Sequence, residues 1–184
     1  MNLPNTLTLA RVGVVPFFVV FFYIPFFRTP RGSMLLALLF LAASLTDLLD
    51  GYLARRRSQV TPFGQFLDPV ADKILIISAL ILLVSEGRVS AWIAIIIISR
   101  EFIVTGLRVI ASLEGVVIAA DSFGKYKMFF QSTAMIFLLL VVEPTLYFHE
   151  IGFISLLLSM IFSLFSACQY FFKFGEKLQL AKTK

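Results

Sequence analysis

Asp47, Asp50, Asp68 and Asp72 stand within or beside apolar runs long enough to cross a bilayer. Ionised carboxylates bordering lipid carry a large desolvation cost, and four close together repel one another. A divalent metal compensates all four at once, and a metal held by carboxylates is a natural partner for phosphates. Asp47 and Asp50 are three residues apart, which puts both on one face of a helix, and Gly51 and Ala54 continue that face. Gly64, Asp68 and Asp72 repeat the arrangement at intervals of four. The small residues let a ligand or a second helix come close to the backbone. Two antiparallel helices then face each other with two carboxylate pairs, a cradle for two metal ions that clamp the oxygens of a displaced phosphate. Arg55 sits at the rim, where a guanidinium can grip a phosphate through two parallel bonds. Asp68 before Pro69 reads as a helix start, because Asp caps and proline needs no donor at the first position.

The elements that must hold these residues follow from composition. The chain has 184 residues, 59% of them hydrophobic, and a mean hydropathy of +0.94. An ordinary soluble domain has no use for so much apolar surface. A helix crossing the hydrocarbon layer needs about 20 residues. Six such spans fit, at 8–27, 34–54, 65–85, 90–111, 125–142 and 150–172, after a short interfacial segment over 1–7. The expected fold class is therefore all-α: an integral membrane protein with six transmembrane helices, forming one domain over 1–184. Pro16 and Pro25 interrupt the first span, and 28–33 reads as a loop.

The net charge of +5 would suggest nucleic acid in a soluble protein. Here it marks topology and contact with anionic headgroups, and no nucleic-acid partner is expected. With six spans, the N-terminus, the 55–64 and 112–124 loops and the C-terminal tail share one side. That side collects Arg55, Arg56, Arg57, Lys125, Lys127, Lys173, Lys177, Lys182 and Lys184, against Arg28, Arg31 and Arg88 opposite. Both termini and all four aspartates are thus expected at the cytosolic face. Met1–Pro4 carries no basic region of a cleavable signal, and the single Cys168 can form no intramolecular disulfide. Trp92 reads as an interfacial anchor, and His149 falls at the outer interface, away from any chemistry.

The string Asp47-x2-Asp50-Gly51-x2-Ala54-Arg55-x8-Gly64-x3-Asp68-x3-Asp72 resembles the signature of the CDP-alcohol phosphatidyltransferase family at every position. The resemblance implies transfer of a phosphatidyl group from a CDP-linked lipid, usually CDP-diacylglycerol, to an alcohol, with release of CMP and use of Mg2+ or Mn2+. It implies that Asp47, Asp50, Asp68 and Asp72 hold the metal ions over the diphosphate. Gly51, Ala54, Arg55 and Gly64 would line the CDP pocket with Asp47 and Asp68, and Asp72 would be the general base. A carboxylate beside two cations has a low pKa, so its service as a base rests on position rather than basicity. A bacterial cytoplasmic membrane is the implied location, and family members often dimerise, which makes a second copy of this chain an expected partner.

The signature does not name the alcohol. Asn5, Thr8 and Arg11 after Pro4, the run Phe66–Lys73, Arg100-Glu101-Phe102 with Arg108, and Gly124-Lys125-Tyr126-Lys127 resemble the bacterial branch that uses sn-glycerol 3-phosphate. Met128 departs from the threonine often found there. Arg100 lies well inside the fourth span, and an intramembrane arginine is a functional candidate by default. Arg108 is two turns nearer the cytosol on roughly the same face. With Lys125 and Lys127 they make a basic pocket for the acceptor's phosphate. Serine would not demand so many cations, whereas inositol phosphate would; phosphatidylglycerol, as in cardiolipin synthesis, is a further alternative acceptor. Blander readings stand beside these. Arg100 can pair with Glu101, Arg108, Lys125 and Lys127 can simply set topology, and Lys73 can pair with an aspartate or snorkel. Asn5 and Thr8 either cap the first helix or touch the lipid diphosphate. A cation- or proton-coupled transporter is the remaining class, but it predicts acids along a midplane pathway rather than at one face.

Overall fold

Apolar runs of about 20 residues must close their backbone hydrogen bonds internally where no water reaches them, and helices do this segment by segment. The computed structural model describes the backbone of residues 3–57, 62–113, 122–140 and 147–182, and the side chains of 9, 12–46, 73–112, 123–140 and 147–175. Among the described residues the chain is all helical, with six α-helices: α1 (Leu3–Tyr23), α2 (Pro30–Arg57), α3 (Pro62–Ser85), α4 (Ala91–Leu113), α5 (Ser122–Leu139) and α6 (Phe148–Lys182). A 3-10 turn over Pro25–Arg28 joins α1 to α2.

Several boundaries differ from the sequence expectation, each for a local reason. α1 runs unbroken from Leu3 through Pro16, so the short N-terminal segment is the start of the same helix. A proline inside such a helix removes one donor without ending it. α2 begins at Pro30 rather than after a loop over 28–33. Thr29 is its cap: the Thr29 hydroxyl accepts from the Gly32 N–H at 3.2 Å and donates to the Phe26 carbonyl at 2.7 Å. Pro30 then fills the first helical position, where no donor is needed. α3 likewise starts at Pro62, two turns before Asp68 and Pro69. The helix-start reading of that pair is therefore wrong, because an earlier proline takes the role and Pro69 sits within the helix. α6 extends past the expected end at 172 to Lys182, a single helix of 35 residues, or about 50 Å.

Two sets of contacts show how the helices alternate. At one end, Arg28 pairs with Glu86 at 2.9 Å. Arg88 donates to the carbonyls of Leu138 at 2.9 Å and Leu140 at 3.3 Å, at the C-terminus of α5. Burial lowers the Arg88 pKa from its ordinary value and Glu86 opposes the shift; an arginine keeps its charge regardless. The α1–α2 link, the α3–α4 link and the end of α5 therefore meet at this end. Trp92 and His149, both exposed, belong to the same end.

The core fills the bundle from this end to its middle. Phe18, Phe40, Leu80, Leu83, Ile93, Ile97, Met135, Leu138 and Leu156 are fully buried. α6 lies close on α5 because Gly152 faces Leu138: a Cβ there would stand 2.8 Å from the Leu138 Cγ. The exterior is apolar too. Phe17, Ile95, Phe102, Phe129, Phe165 and Phe172 are exposed, Phe172 at 79%. Such a surface suits a lipid solvent and not water. Phe148–Gly175 is, among the described residues, the helix long and apolar enough to cross a membrane, while Val12–Tyr23, Pro30–Thr46 and Lys73–Ser85 are shorter apolar stretches.

The tightest backbone approach is at Gly32. A Cβ there would collide with the Phe26 carbonyl oxygen and stand 2.6 Å from the Phe27 Cα, both backbone atoms that cannot swing aside. Gly32→Ala is expected to destabilise the protein by about 1–3 kcal/mol, read as a lower thermal midpoint in detergent. Gly13→Ala, where nothing lies within 4 Å, should not lower it. Equal midpoints for the two variants would refute this account of the α1–α2 turn.

Candidate active site

Each inward stripe of α3 to α6 changes character at the same level. On α3, Leu83 and Leu80 give way to Ile76 and Lys73. On α4, Ile93 and Ile97 give way to Arg100, Val104 and Arg108. On α5, read back from Leu138 and Met135, come Gln131, Lys127 and Gly124. On α6, Leu156 is followed by Ser159, Ser163 and Ser166. These positions recur at intervals of three and four, so the stripes that build the core continue as the walls of a cavity. Its volume is about 350 Å3, a size suited to a small polar metabolite. Its lining brings together Arg100, Arg108, Lys125 and Lys127, all four of the cations expected to form the acceptor pocket, and adds Lys73.

Glu101 is the counter-charge. Its Oε1 takes Arg100 Nη1 at 3.1 Å and also receives the Lys127 ammonium. Arg100 is 8% exposed, and its Nε donates to the main-chain carbonyl of Ser163 at 2.8 Å. One guanidinium thus ties α4 to α6, and one carboxylate ties α4 to α5. The ion-pair reading of Arg100 holds, and the residue lines the cavity as well. Burial of the pair is tolerable because the charges are matched and hydrogen-bonded. Lys73 donates to the Thr105 hydroxyl, which in turn donates to the Glu101 carbonyl at 2.7 Å. Arg108 and Lys125 are exposed to the cavity side of the bundle. The Arg108 guanidinium stands 5.7 Å over the ring of Tyr170, a cation–π contact.

Five cations and one carboxylate line the cavity among the described residues, a difference of +4. Such an excess of cations among the described residues is the kind of lining that suits an anion. A second cavity of about 510 Å3, lined by Met34, Leu38, Leu41, Ile136 and Leu140, is apolar and lies at the opposite end.

Lys73, Thr105, Gln131 and Ser166 were not foreseen as parts of this wall, nor was the Ser163 carbonyl that holds Arg100. Three of them had a readable signal. Thr105 follows Glu101 by four, Gln131 follows Lys127 by four, and Lys73 follows Asp72 directly, all within apolar spans. The Ser163 carbonyl had none, since every residue carries one.

Asp47, Asp50, Gly51, Ala54 and Arg55 belong to α2, and Gly64, Asp68 and Asp72 to α3. Asn5 and Thr8 belong to the first turns of α1. The side chains of all ten lie outside the described residues. The helical backbone places Asp47 with Asp50, and Asp68 with Asp72, on one face of each helix, and α2 touches α3. Among the residues with described side chains no cluster of three or more metal-ligating groups occurs. A set of four carboxylates is the donor chemistry that a hard divalent cation prefers. Lys73 is the next residue after Asp72, so the cationic cavity begins about 3.8 Å along the backbone from the last aspartate position.

An all-α bundle with an apolar exterior, an aspartate-bearing helix pair and a cation-lined cavity defines a protein built to handle phosphates beside a lipid phase. This chain belongs to the CDP-alcohol phosphatidyltransferase family, whose family model matches residues 1–165. It is similar to the CDP-diacylglycerol–glycerol-3-phosphate 3-phosphatidyltransferase of Bacillus subtilis, 41% identical over 97% of both chains. The protein of the same name from Haemophilus influenzae is 42% identical over 98% of this chain and 94% of the relative. That from Rickettsia bellii is 38% identical over 93% and 97%.

Proposed function

We propose that this protein transfers the phosphatidyl group of CDP-diacylglycerol to sn-glycerol 3-phosphate, giving phosphatidylglycerol phosphate and CMP. Near-full-length similarity to relatives named for that reaction supports the reading. The observation that carries the acceptor is the excess of cations in the cavity next to Asp72. A phosphomonoester needs such a site, and a simple alcohol does not.

The proposed chemistry divides between the two regions. Asp47, Asp50, Asp68 and Asp72 would hold divalent cations, Mg2+ or Mn2+ and two in number, which when bound offset the charge of the diphosphate and of departing CMP. Gly51, Ala54 and Gly64 leave room for the CDP group, Arg55 grips its phosphate, and Asn5 and Thr8 meet the lipid diphosphate. Arg108 and Lys125 hold the acceptor's phosphate from the open side, and Arg100 and Lys127 form the inner wall. Glycerol 3-phosphate so anchored turns its free hydroxyl toward Asp72, which takes the proton. The hydroxyl oxygen forms a bond to the phosphorus that carries the diacylglycerol, and the bond from that phosphorus to the oxygen of CMP breaks. None of the specified motif positions is a Ser, Cys or His that could serve as a nucleophile, which favours direct attack.

The setting proposed is a cytoplasmic membrane crossed by six helices, with both termini and the cavity on the cytosolic side. The bundle's alternation supports this, because the cavity and the two Arg88 contacts lie at opposite ends. Acyl chains stay in lipid, the acceptor and CMP exchange with the cytosol, and a homodimer is the proposed assembly.

Purified protein should release CMP from CDP-diacylglycerol only when glycerol 3-phosphate and Mg2+ or Mn2+ are both present. Equal or faster turnover with inositol phosphate or serine, measured side by side, would overturn the acceptor. Asp72→Asn should reduce turnover at least about a hundredfold while leaving CDP-lipid binding largely intact; retained activity would remove Asp72 as the base. Arg108→Ala and Lys125→Ala should each raise KM for glycerol 3-phosphate about tenfold, the size of one charge-assisted hydrogen bond, and change KM for the CDP-lipid far less. Equal changes in both constants would point to shared electrostatics instead.

A further inference from the structure

Gln131 and Ser166 are the neutral polar side chains of the cavity wall that make no hydrogen bond among the described residues. Gln131 is 2% exposed and Ser166 7%, so what little of them is open faces the cavity they line. Thr105, the other neutral polar group of the lining, is engaged with the Glu101 carbonyl. On α5, Gly124, Lys127, Gln131 and Met135 follow one another at intervals of three and four and share a face. Met135 is fully buried. Gln131 is therefore the deepest polar residue of that stripe, at the floor where the apolar core begins. α6 brings Ser166 to the same cavity because it lies beside α5, with the rings of Phe130 and Phe162 stacked 5.5 Å apart. A buried amide left unpaired is costly, and such a group in a native fold asks for a partner. The partner's chemistry follows from the amide itself. Its nitrogen donates twice, and its oxygen needs a donor. A phosphate dianion has only acceptor oxygens, so it leaves the amide oxygen unpaired. A hydroxyl donates to that oxygen and accepts in return.

We infer that Gln131, with Ser166, binds the middle hydroxyl of the acceptor and makes the cavity selective for the phosphate of a vicinal diol. The inference rests on the glycerol 3-phosphate reading of the cavity. That acceptor carries three groups, and the proposed chemistry uses two of them. Arg108 and Lys125 take the phosphate, and the terminal hydroxyl attacks beside Asp72. The middle hydroxyl is left over, and the amide at the floor is the wall group with both a donor and an acceptor to offer it. A third contact also has a consequence that two lack. Two fixed points leave a molecule and its mirror image alike, whereas a third on the central carbon separates them. Gln131 thus sets both which acceptor is used and its handedness. A site built to pair a hydroxyl also rejects the analogue without one, because the buried amide is then left unpaired.

The test compares glycerol 3-phosphate with 3-hydroxypropyl phosphate, which keeps the phosphate and the attacking hydroxyl but lacks the middle one. The detergent-solubilised wild type should use the analogue with a kcat/KM at least about a hundredfold lower. Gln131→Met, close in length and shape, should lower kcat/KM for glycerol 3-phosphate about thirtyfold and leave that for the analogue within about threefold, so that the preference collapses. KM for the CDP-lipid should stay unchanged. The same variant should lose most of the wild type's preference for sn-glycerol 3-phosphate over its mirror image. Ser166→Ala should weaken the preference for the middle hydroxyl by about fivefold, and it serves if Gln131→Met does not fold. Similar use of both acceptors by the wild type overturns the inference without any variant. So does an equal loss on both acceptors in Gln131→Met, which would put the amide on the phosphate instead. Turnover with neither acceptor would sink the glycerol 3-phosphate reading itself.

Discussion

A charge inside an apolar bundle needs either water or an opposite charge, and this chain uses both in one place. Arg100 cannot reach solvent from the middle of α4 and is matched by Glu101 and by a main-chain carbonyl of α6. Lys127 is matched by the same carboxylate. These contacts join α4, α5 and α6 at the level where the apolar core stops. Below that level the remaining cations can face an open cavity, because the inner ones are already settled. The cation-rich cavity is thus a by-product of how the bundle resolves its own buried charge. The donor set around the cavity is rigid for the same reason: its deepest members are fixed before any ligand arrives.

The two ends of the bundle are held by different means. At the outer end, Arg28 with Glu86 and Arg88 with the last carbonyls of α5 clamp the links between helices. Phe18, Phe40, Leu83 and Ile93 pack beneath them. At the other end, no comparable apolar plug lies among the described residues, and polar side chains line space instead. A bundle that is firm at one end and open at the other can keep its cavity shape while substrates exchange.

Much of this was legible in the sequence, and the misses have physical causes. The six helices were readable because lipid permits few alternatives to an apolar helix of about 20 residues. Their ends were less so. Thr29-Pro30 is a sound cap signal, but Gly32 and Ser33 after it read as loop residues until the close approach of Phe26 explains the glycine. Asp68-Pro69 mimicked a helix start that Pro62 already supplied. The cations of α4 and α5 could be grouped by level, since Arg108 stands two turns beyond Arg100 and Lys125 and Lys127 open the next span at that height. Spacing could not show that Arg100 and Lys127 share Glu101, because that depends on the Lys127 side chain reaching from α5 to a helix, α4, against which α5 does not pack directly among the described residues. Lys73 reads in the sequence as pairing with an aspartate or snorkelling, and its contact with Thr105 depends on the packing of α3 against α4.

Ser163 shows a limit of side-chain thinking. Its hydroxyl has no partner among the described atoms, while its backbone oxygen anchors a buried cation of the site. Replacing the side chain would leave that anchor untouched, so a scan by alanine would pass over α6 as if it were inert scaffold. What is constrained is the height and rotation of the helix, set by Gly152 against Leu138. A single methyl at Gly152, three turns away, bears on that helix position, whereas Ser163→Ala does not.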